Sequence, residues 1–353
     1  MTPLRPQRLA QSALRASRTA SRPSYRPTCL LPSTTSSTNN RRAHSTSSVS
    51  ADEVSHFSGL ASSWWDPMGP SRILHLMNPL RHEFIASCLA DSSPAGAANA
   101  QNSKPESSAN LDYLDIGCGG GIFAESLART IPLDPSASAP TPTRAASMTA
   151  IDPTTTLIEI ARDHARRDPT VDAHMRSGRF QYLNTTLEDV LSTSTSDSTS
   201  PSSPQPQHRQ FDMVTLFEVI EHIDPTTTTP QAFLANCLRA LKPGGWLIGS
   251  TISRTFPSWI LNQVIAEAPW PIGVVPRGTH EWSKFVNPSE LYSWAQEGLM
   301  RAADTNVSRG GPSALDGMQW KCAGAVYVPG LGWKMVPGSE DWGNYFWAVK
   351  KGN

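Results

Sequence analysis

The sequence predicts an α/β fold in which a mainly parallel sheet is covered by helices on both faces. Three observations carry this expectation. Short strand-like runs alternate with amphipathic helical stretches along the chain. The first of these runs empties into a glycine-rich turn that leads directly into a helix. Ser/Pro/Thr/Ala-rich stretches interrupt the alternation and add no periodicity of their own. Strand–helix alternation implies crossover connections, which make neighbouring strands parallel and place helices on the two faces.

The chain opens with residues 1–51, which hold eight Arg (5, 8, 15, 18, 22, 26, 41 and 42) and no Asp or Glu. Ser, Thr and Pro fill the gaps, and Leu4, Leu9 and Leu14 give the start some amphipathicity. Arg-rich, Ser-rich and acid-free is the composition of a mitochondrial transit peptide. Residues 1–48 are therefore assigned as a disordered targeting segment, with a cut expected near Arg41–Ser45. Residues 52–353 are expected to form one domain.

Strand-like runs are read at 111–116, 148–152, 180–183, 211–216 and 246–251, with two more at 324–328 and 345–349, seven in all. Helical patterns cover 122–129, 156–167 and 233–241, the last stopped by Pro243-Gly244-Gly245. The two C-terminal strands are expected to form an antiparallel edge hairpin. Near 57–65, Phe57, Leu60, Trp64 and Trp65 predict a helical lid. Three stretches, at about 91–110, 131–147 and 191–209, are Ser/Pro/Thr/Ala-rich and are expected to be disordered insertions. No internal repeat is present.

Composition excludes several classes. The 353 residues include 30 Pro and 23 Gly, with only 17% charged and 38% hydrophobic residues, so the biased stretches cannot all join a core. No run of 18 apolar residues exists, which excludes a membrane-spanning helix. Cys29, Cys88, Cys118, Cys237 and Cys322 contain no C-x-x-C pair, which excludes a Cys-rich zinc module and a dithiol redox motif. The whole chain is neutral, with 30 basic and 30 acidic residues. Without the eight N-terminal Arg it carries 22 − 30 = −8, which argues against nucleic-acid binding.

The chemistry starts at the glycine turn. The strand ending near Asp115 runs into Gly117-Cys118-Gly119-Gly120-Gly121. Glycines there allow positive φ and close approach of backbone to a ligand. A dinucleotide fingerprint needs Gly at 117, 119 and 122, but position 122 is Ile. The G-x-G-x-G spacing, preceded by an acid, resembles the first motif of S-adenosylmethionine-dependent methyltransferases, whose Rossmann-like class I fold this implies. Such a cofactor has no pyrophosphate; its methionine tail and sulfonium suit backbone contacts and a nearby carboxylate. Asp152, at the end of the next strand, is placed to accept from both ribose hydroxyls.

Within that superfamily, Ala61-Ser62-Ser63-Trp64-Trp65-Asp66, Met77-Asn78-Pro79-Leu80-Arg81 and 275–285 (VPRGTHEWSKF) resemble the ubiquinone biosynthesis O-methyltransferases. Phe217-Glu218-Val219-Ile220-Glu221-His222 and Leu241-Lys242-Pro243-Gly244-Gly245 resemble later motifs of the superfamily. The resemblance covers about residues 52–353 apart from the insertions. It implies S-adenosyl-L-methionine as cofactor, held by Arg81 at the methionine carboxylate, by Gly117, Gly119 and Gly121, by Asp152 at the ribose and by Phe217 at the adenosine. A guanidinium suits a carboxylate because it offers a forked donor pair. The resemblance further implies a divalent cation, Mg²⁺ with Mn²⁺ or Zn²⁺ left open, on Glu218, Glu221 and His222. On a helical turn those positions would share one face.

Implied substrates are catechols with a polyprenyl chain: 3,4-dihydroxy-5-polyprenylbenzoate and demethylubiquinol. His280 is the candidate general base, with Lys284 as its helper. The alternatives are another phenolic acceptor, or a scaffold subunit of the ubiquinone biosynthetic complex, whose other proteins are expected partners. A polyprenyl tail belongs in a bilayer, so peripheral attachment to the matrix side of the inner mitochondrial membrane is expected. The apolar stretch 256–275, with Trp259 and Trp270, is the candidate surface.

Overall fold

The computed structural model describes residues 48–91, 110–134, 141–192, 209–269, 273, 275–276, 278–304, 315–328 and 330–353. The predicted targeting segment up to residue 47, residues 92–109 and 193–208 of two predicted insertions and residues 135–140 of the third lie outside the described residues, as do Cys29 and Trp270. The third insertion is narrower than expected: Ile131, Thr143 and Ala145 are buried, and a strand already begins at Ala145.

Among the described residues the sheet has eight strands. In chain order they are β1 (Leu111–Ile116), β2 (Ala145–Asp152), β3 (Phe180–Asn184), β4 (Phe211–Phe217), β5 (Leu241–Ile252), β6 (Gln319–Val328), β7 (Gly332–Val336) and β8 (Asn344–Lys350). Their spatial order is β3-β2-β1-β4-β5-β8-β6-β7. The first five in that order are parallel, and β8, β6 and β7 add antiparallel pairs. The strand missed by the sequence reading is β7. It, and not the predicted β6–β8 pair, forms the edge. Moreover, β5 starts at Leu241, ahead of the predicted Trp246. Its register against β4 slips between Phe211 and Met213, so Lys242 to Gly245 bulge out of a strand instead of merely ending a helix.

Nine helices flank the sheet among the described residues: α1 (Ala51–Leu60), α2 (Arg72–Asp91), α3 (Ile122–Ala128), α4 (Thr155–Ala165), α5 (Pro169–Arg176), α6 (Leu187–Ser192), α7 (Pro230–Arg239), α8 (Phe256–Trp259) and α9 (Pro288–Asp304). Their starts follow from local chemistry. At α5, Asp168 caps the N–H groups of Thr170 and Val171 and Pro169 occupies the first turn. At α7, Thr229 caps Ala232 ahead of Pro230.

Alternate strand residues point to opposite faces and feed separate cores. Tyr113 and Phe346 join Phe84 of α2 and Leu127 of α3 on one side. Their neighbours Leu114 and Trp347 join Phe233 of α7 and Leu291 of α9 on the other. All are nearly or fully buried, each contributing about 1.5–3 kcal/mol of apolar burial for its side chain. These two cores fix the carboxyl ends of β1, β2 and β4, where the site lies.

Candidate active site

Chain order reverses between β1 and β4, and open parallel sheets bind ligands beyond the carboxyl ends of their strands at such a point. A cavity of about 520 Å³ opens there. The backbone N–H groups of Gly117 and Cys118 both donate to the Ile151 carbonyl, at 2.9 and 3.0 Å, stitching the glycine turn to β2. Gly117, Gly119 and Gly121 have φ of 69°, 54° and 89°. A Cβ on Gly117 would sit 2.6 Å from Val219 Cγ2, and one on Gly121 would sit 2.1 Å from the Tyr182 hydroxyl.

Gly121→Ala should therefore lose more than the roughly 1–2 kcal/mol of a left-handed alanine. Each kcal/mol lowers Tm by about 2–4 °C in a domain of this size. Gly178→Ala is the control, because Gly178 has φ of 76° but nothing within 4 Å of the added carbon. Calorimetric melting of the two variants checks the difference; equal losses would contradict the close packing at 121.

Arg81, on α2, projects into the cavity wall and is only 3% exposed. Asn78 organises it. Its amide donates to the Ile122 carbonyl at 3.0 Å, and its carbonyl oxygen accepts from Arg81 Nη1 at 3.0 Å. The guanidinium lies 4.9 Å over the Phe217 ring, and Phe217 in turn meets Phe123 edge-on at 4.6 Å. Burial pushes the guanidinium pKa down to about 10, against the pull of the Glu218 and Asp115 carboxylates, so it stays charged at neutral pH. Arg81 Nε is buried with no hydrogen-bond partner. A cationic donor left unmet in a cavity wall fits an anionic ligand group.

Asp152 ends β2 and is 7% exposed. Its Oδ2 accepts from Gly119 N–H at 2.9 Å and its Oδ1 from Thr154 N–H at 2.8 Å. A carboxylate has about four acceptor sites, so two stay available for hydroxyls. Burial raises its pKa, and the Thr154 and Gly119 N–H groups oppose the rise. These residues fit the amino-acid and sugar ends of S-adenosylmethionine.

The predicted lid is present. Phe57 and Leu60 of α1, with Trp64 of the following turn, pack on Ile122 and Leu157 and line the cavity. The Trp64 indole covers Gly119 and Gly120 so closely that neither has room for a Cβ. Trp65 Nε1 donates to the Gly120 carbonyl at 2.9 Å.

Glu218, Glu221 and His222 all line the cavity, but they do not share a helical face. Glu218 precedes the short 3-10 turn Ile220–His222 and has φ of 55°, the left-handed region. Its oxygens accept from Ser250 Oγ at 2.6 Å and Asn344 Nδ2 at 3.3 Å. Glu221 accepts from Thr251 Oγ1 at 2.9 Å, and His222 Nδ1 pairs with Glu53 at 3.2 Å. No group of three His, Cys, Asp or Glu among the described residues is arranged to hold a metal ion. The expectation of a convergent helical triad is corrected accordingly. The donor types suit a cation, but their present arrangement does not.

His280 borders the same cavity, and burial is the main cause that lowers its pKa, with Glu267 and Glu218 pulling it back up and His222 pushing it further down. Its Nδ1 contacts Glu267 at 3.1 Å. Lys284 does not join it as a helper. Lys284 Nζ is held by Glu53 at 3.1 Å and Glu281 at 3.3 Å. Burial pushes that ammonium down, but the two carboxylates outweigh it and keep it protonated.

Sequence reasoning missed Glu53 and Glu267. Glu53 follows Ser50 at the spacing of a capping box, and Ser50 Oγ does accept from its N–H. Its carboxylate instead ties the lid to His222 and Lys284, which overcome burial and bring its pKa down to about 2.

Residues 79–298 match the model of a methyltransferase domain family. The chain is 33% identical to the mitochondrial ubiquinone biosynthesis O-methyltransferase of Candida albicans, over 86% of each. It is 36% identical to the mitochondrial enzyme of that name from Schizosaccharomyces pombe, over 71% of this chain and 72% of that protein. It is 31% identical to the ubiquinone biosynthesis O-methyltransferase of Pasteurella multocida, over 72% of this chain and 86% of that protein.

Proposed function

The chain belongs to the family of ubiquinone biosynthesis O-methyltransferases, S-adenosylmethionine-dependent enzymes, and we propose that its acceptors are catechol hydroxyls of 3,4-dihydroxy-5-polyprenylbenzoate and demethylubiquinol. One observation carries the use of the site: the buried, unpartnered Nε of Arg81 in the cavity wall beside the glycine turn.

The roles follow from chemistry. Arg81 holds the methionine carboxylate, with Phe217 supporting the guanidinium from below. Gly117, Gly119 and Gly121 let the backbone approach the amino-acid end, and Asp152 takes the ribose hydroxyls. When bound, S-adenosylmethionine supplies an electrophilic methyl group on a sulfonium. His280, neutral because burial depresses its pKa, accepts the catechol proton. The lid of Phe57, Leu60 and Trp64 excludes water. Holding acceptor and donor in line is itself worth about 7–11 kcal/mol of barrier.

A divalent cation would be held by Glu218, Glu221 and His222, a reading supported by their donor chemistry and not by their arrangement. Turnover should be lost in excess chelator and restored by titrated Mg²⁺ if these side chains exchange their partners for an ion. Unchanged turnover in chelator would remove the cation.

Residues 1–48 carry the chain to mitochondria, as their acid-free, Arg-rich composition and the mitochondrial relatives support. No helix among the described residues is long and apolar enough to cross a membrane. Peripheral attachment to the matrix side of the inner membrane is supported by α8 and the π-helical turns Ile260–Ile265 that continue it. Phe256, Trp259 and Val264 are 69%, 40% and 48% exposed there. Leu261 and Ile265, also exposed, line the cavity, giving a prenyl tail an apolar path from bilayer to site. The triple change Phe256→Ser, Trp259→Ser, Val264→Ser should reduce flotation with inner-membrane-like vesicles by at least about tenfold, since each apolar side chain withdrawn from lipid forfeits about 1.5–3 kcal/mol. Equal flotation would refute the patch. Other proteins of ubiquinone synthesis are the proposed partners.

Incubation with labelled S-adenosylmethionine and short-chain versions of both catechols tests the function. One labelled methyl ether per acceptor is expected. Methylation of neither, with activity on an unrelated phenol, would overturn the acceptor assignment.

A further inference from the structure

We propose that Glu267 is a positioning residue for methyl transfer, which rests on His280 acting as the base: its carboxylate fixes the imidazole tautomer and pins the loop that carries it. Glu267 is 8% exposed and lies just beyond the π-helical turns Ile260–Ile265. A carboxylate buried this deeply is costly unless donors surround it. Here they do. Gly278 N–H donates to Oε2 at 2.7 Å, His280 N–H donates to Oε1 at 2.8 Å, and His280 Nδ1 lies 3.1 Å from the same Oε1.

An ionised carboxylate can only accept. The hydrogen in the Nδ1 contact therefore sits on His280, and the neutral imidazole keeps its lone pair on Nε2. Further contacts hold the described residues of the loop. Gly278 turns it with φ of 77°, Thr279 Oγ1 donates to the Pro276 carbonyl at 2.7 Å, and Gln263 Nε2 donates to the His280 carbonyl. Gln263 and Glu267 thus couple the apolar π-helical segment to the loop bearing the base.

His280 Nε2 takes the catechol hydroxyl proton as the oxygen's electron pair forms its bond to the methyl carbon. The C–S bond breaks with its pair on sulfur, which leaves as the neutral thioether of S-adenosylhomocysteine. Glu267 then faces an imidazolium, offsets its charge, and the proton passes to water. Glu267, Glu218 and His222 act on His280, and Glu53, Glu221, Glu281 and Lys284 line a pocket with it.

The test uses the full chain with S-adenosylmethionine and 3,4-dihydroxybenzoate. Glu267→Gln should lower kcat by at least about tenfold, part of the roughly 100-fold or more that a positioned proton acceptor contributes, with KM for S-adenosylmethionine unchanged. Without the anion, the acid limb of kcat should also move to lower pH, and Glu267→Asp should restore it. The ¹⁵N spectrum of the wild-type protein should show His280 protonated at Nδ1. An Nε2–H tautomer, or an unmoved limb with kcat within about twofold of wild type, would overturn the proposal. The spectrum decides the matter even if Glu267→Gln does not fold or this catechol is a poor acceptor. Full activity of His280→Ala would instead remove the base assignment itself, whereas an impaired His280→Ala with an unaffected Glu267→Gln removes only the role of Glu267.

Discussion

Replacing Arg81 with Met is expected to weaken S-adenosylmethionine binding by about 100-fold, equivalent to about 2.7 kcal/mol. A hydrogen bond to a charged group contributes about 1.5–3 kcal/mol, and the guanidinium can offer more than one to a carboxylate. Met keeps most of the side chain's volume on Phe217 and Phe123, so the neighbouring core should hold. Arg81→Lys retains the charge but not the fork, and should fall between. Calorimetric titration with S-adenosylhomocysteine reads all three proteins. Because burial leaves the guanidinium with a pKa near 10, the affinity should not vary across neutral pH on its account. Binding by Arg81→Met within about threefold of wild type, well under one 1.4 kcal/mol decade, would show that the carboxylate is held elsewhere.

Replacing His280 with Ala is expected to lower kcat by at least about 100-fold, the lower end of what a positioned general base contributes. The affinity for the methyl donor should be unchanged, since Arg81 and Asp152 carry that end. The sign of the pH dependence follows from the environment of His280. Burial, and His222 beyond it, depress its pKa against Glu267 and Glu218. The neutral, proton-accepting form is therefore present below the ordinary histidine value of 6.5 and is lost only as pH falls through the lower value. Wild-type kcat should fall on the acid side below pH 6.5, and His280→Ala should lose that limb. Steady-state kinetics with a soluble catechol check both. A persistent limb in the variant would assign it to another group.

The parallel half of the sheet was legible because each strand there is a short apolar run bounded by turn residues, and the glycine turn marks where β1 ends. Asp152 and Arg81 were legible through their position after a strand and within the N-P-L-R motif. What escaped depends on partners far away in the chain. β7 is a five-residue strand whose place is set by register against β6. α9 buries Leu291, Ala295 and Leu299 at a spacing of four, but polar residues between them obscure the stripe. Glu53 meets His222 across 169 residues of sequence. The left-handed backbone of Glu218 has no composition signal at all. It rests on two contacts with β5, its N–H donating to the Ser250 carbonyl at 3.0 Å and its carboxylate accepting from the Ser250 hydroxyl. A helical spacing rule therefore grouped three side chains that the fold points at different neighbours.

We propose that the cavity where β1, β2 and β4 end is a seat for S-adenosylmethionine. Isothermal titration of the full chain with S-adenosylhomocysteine probes this seat without any acceptor. One equivalent should bind per chain, with the heat strongly reduced in Arg81→Met. A folded wild-type protein that gives no heat with either S-adenosylhomocysteine or S-adenosylmethionine would show that the cavity is not that seat.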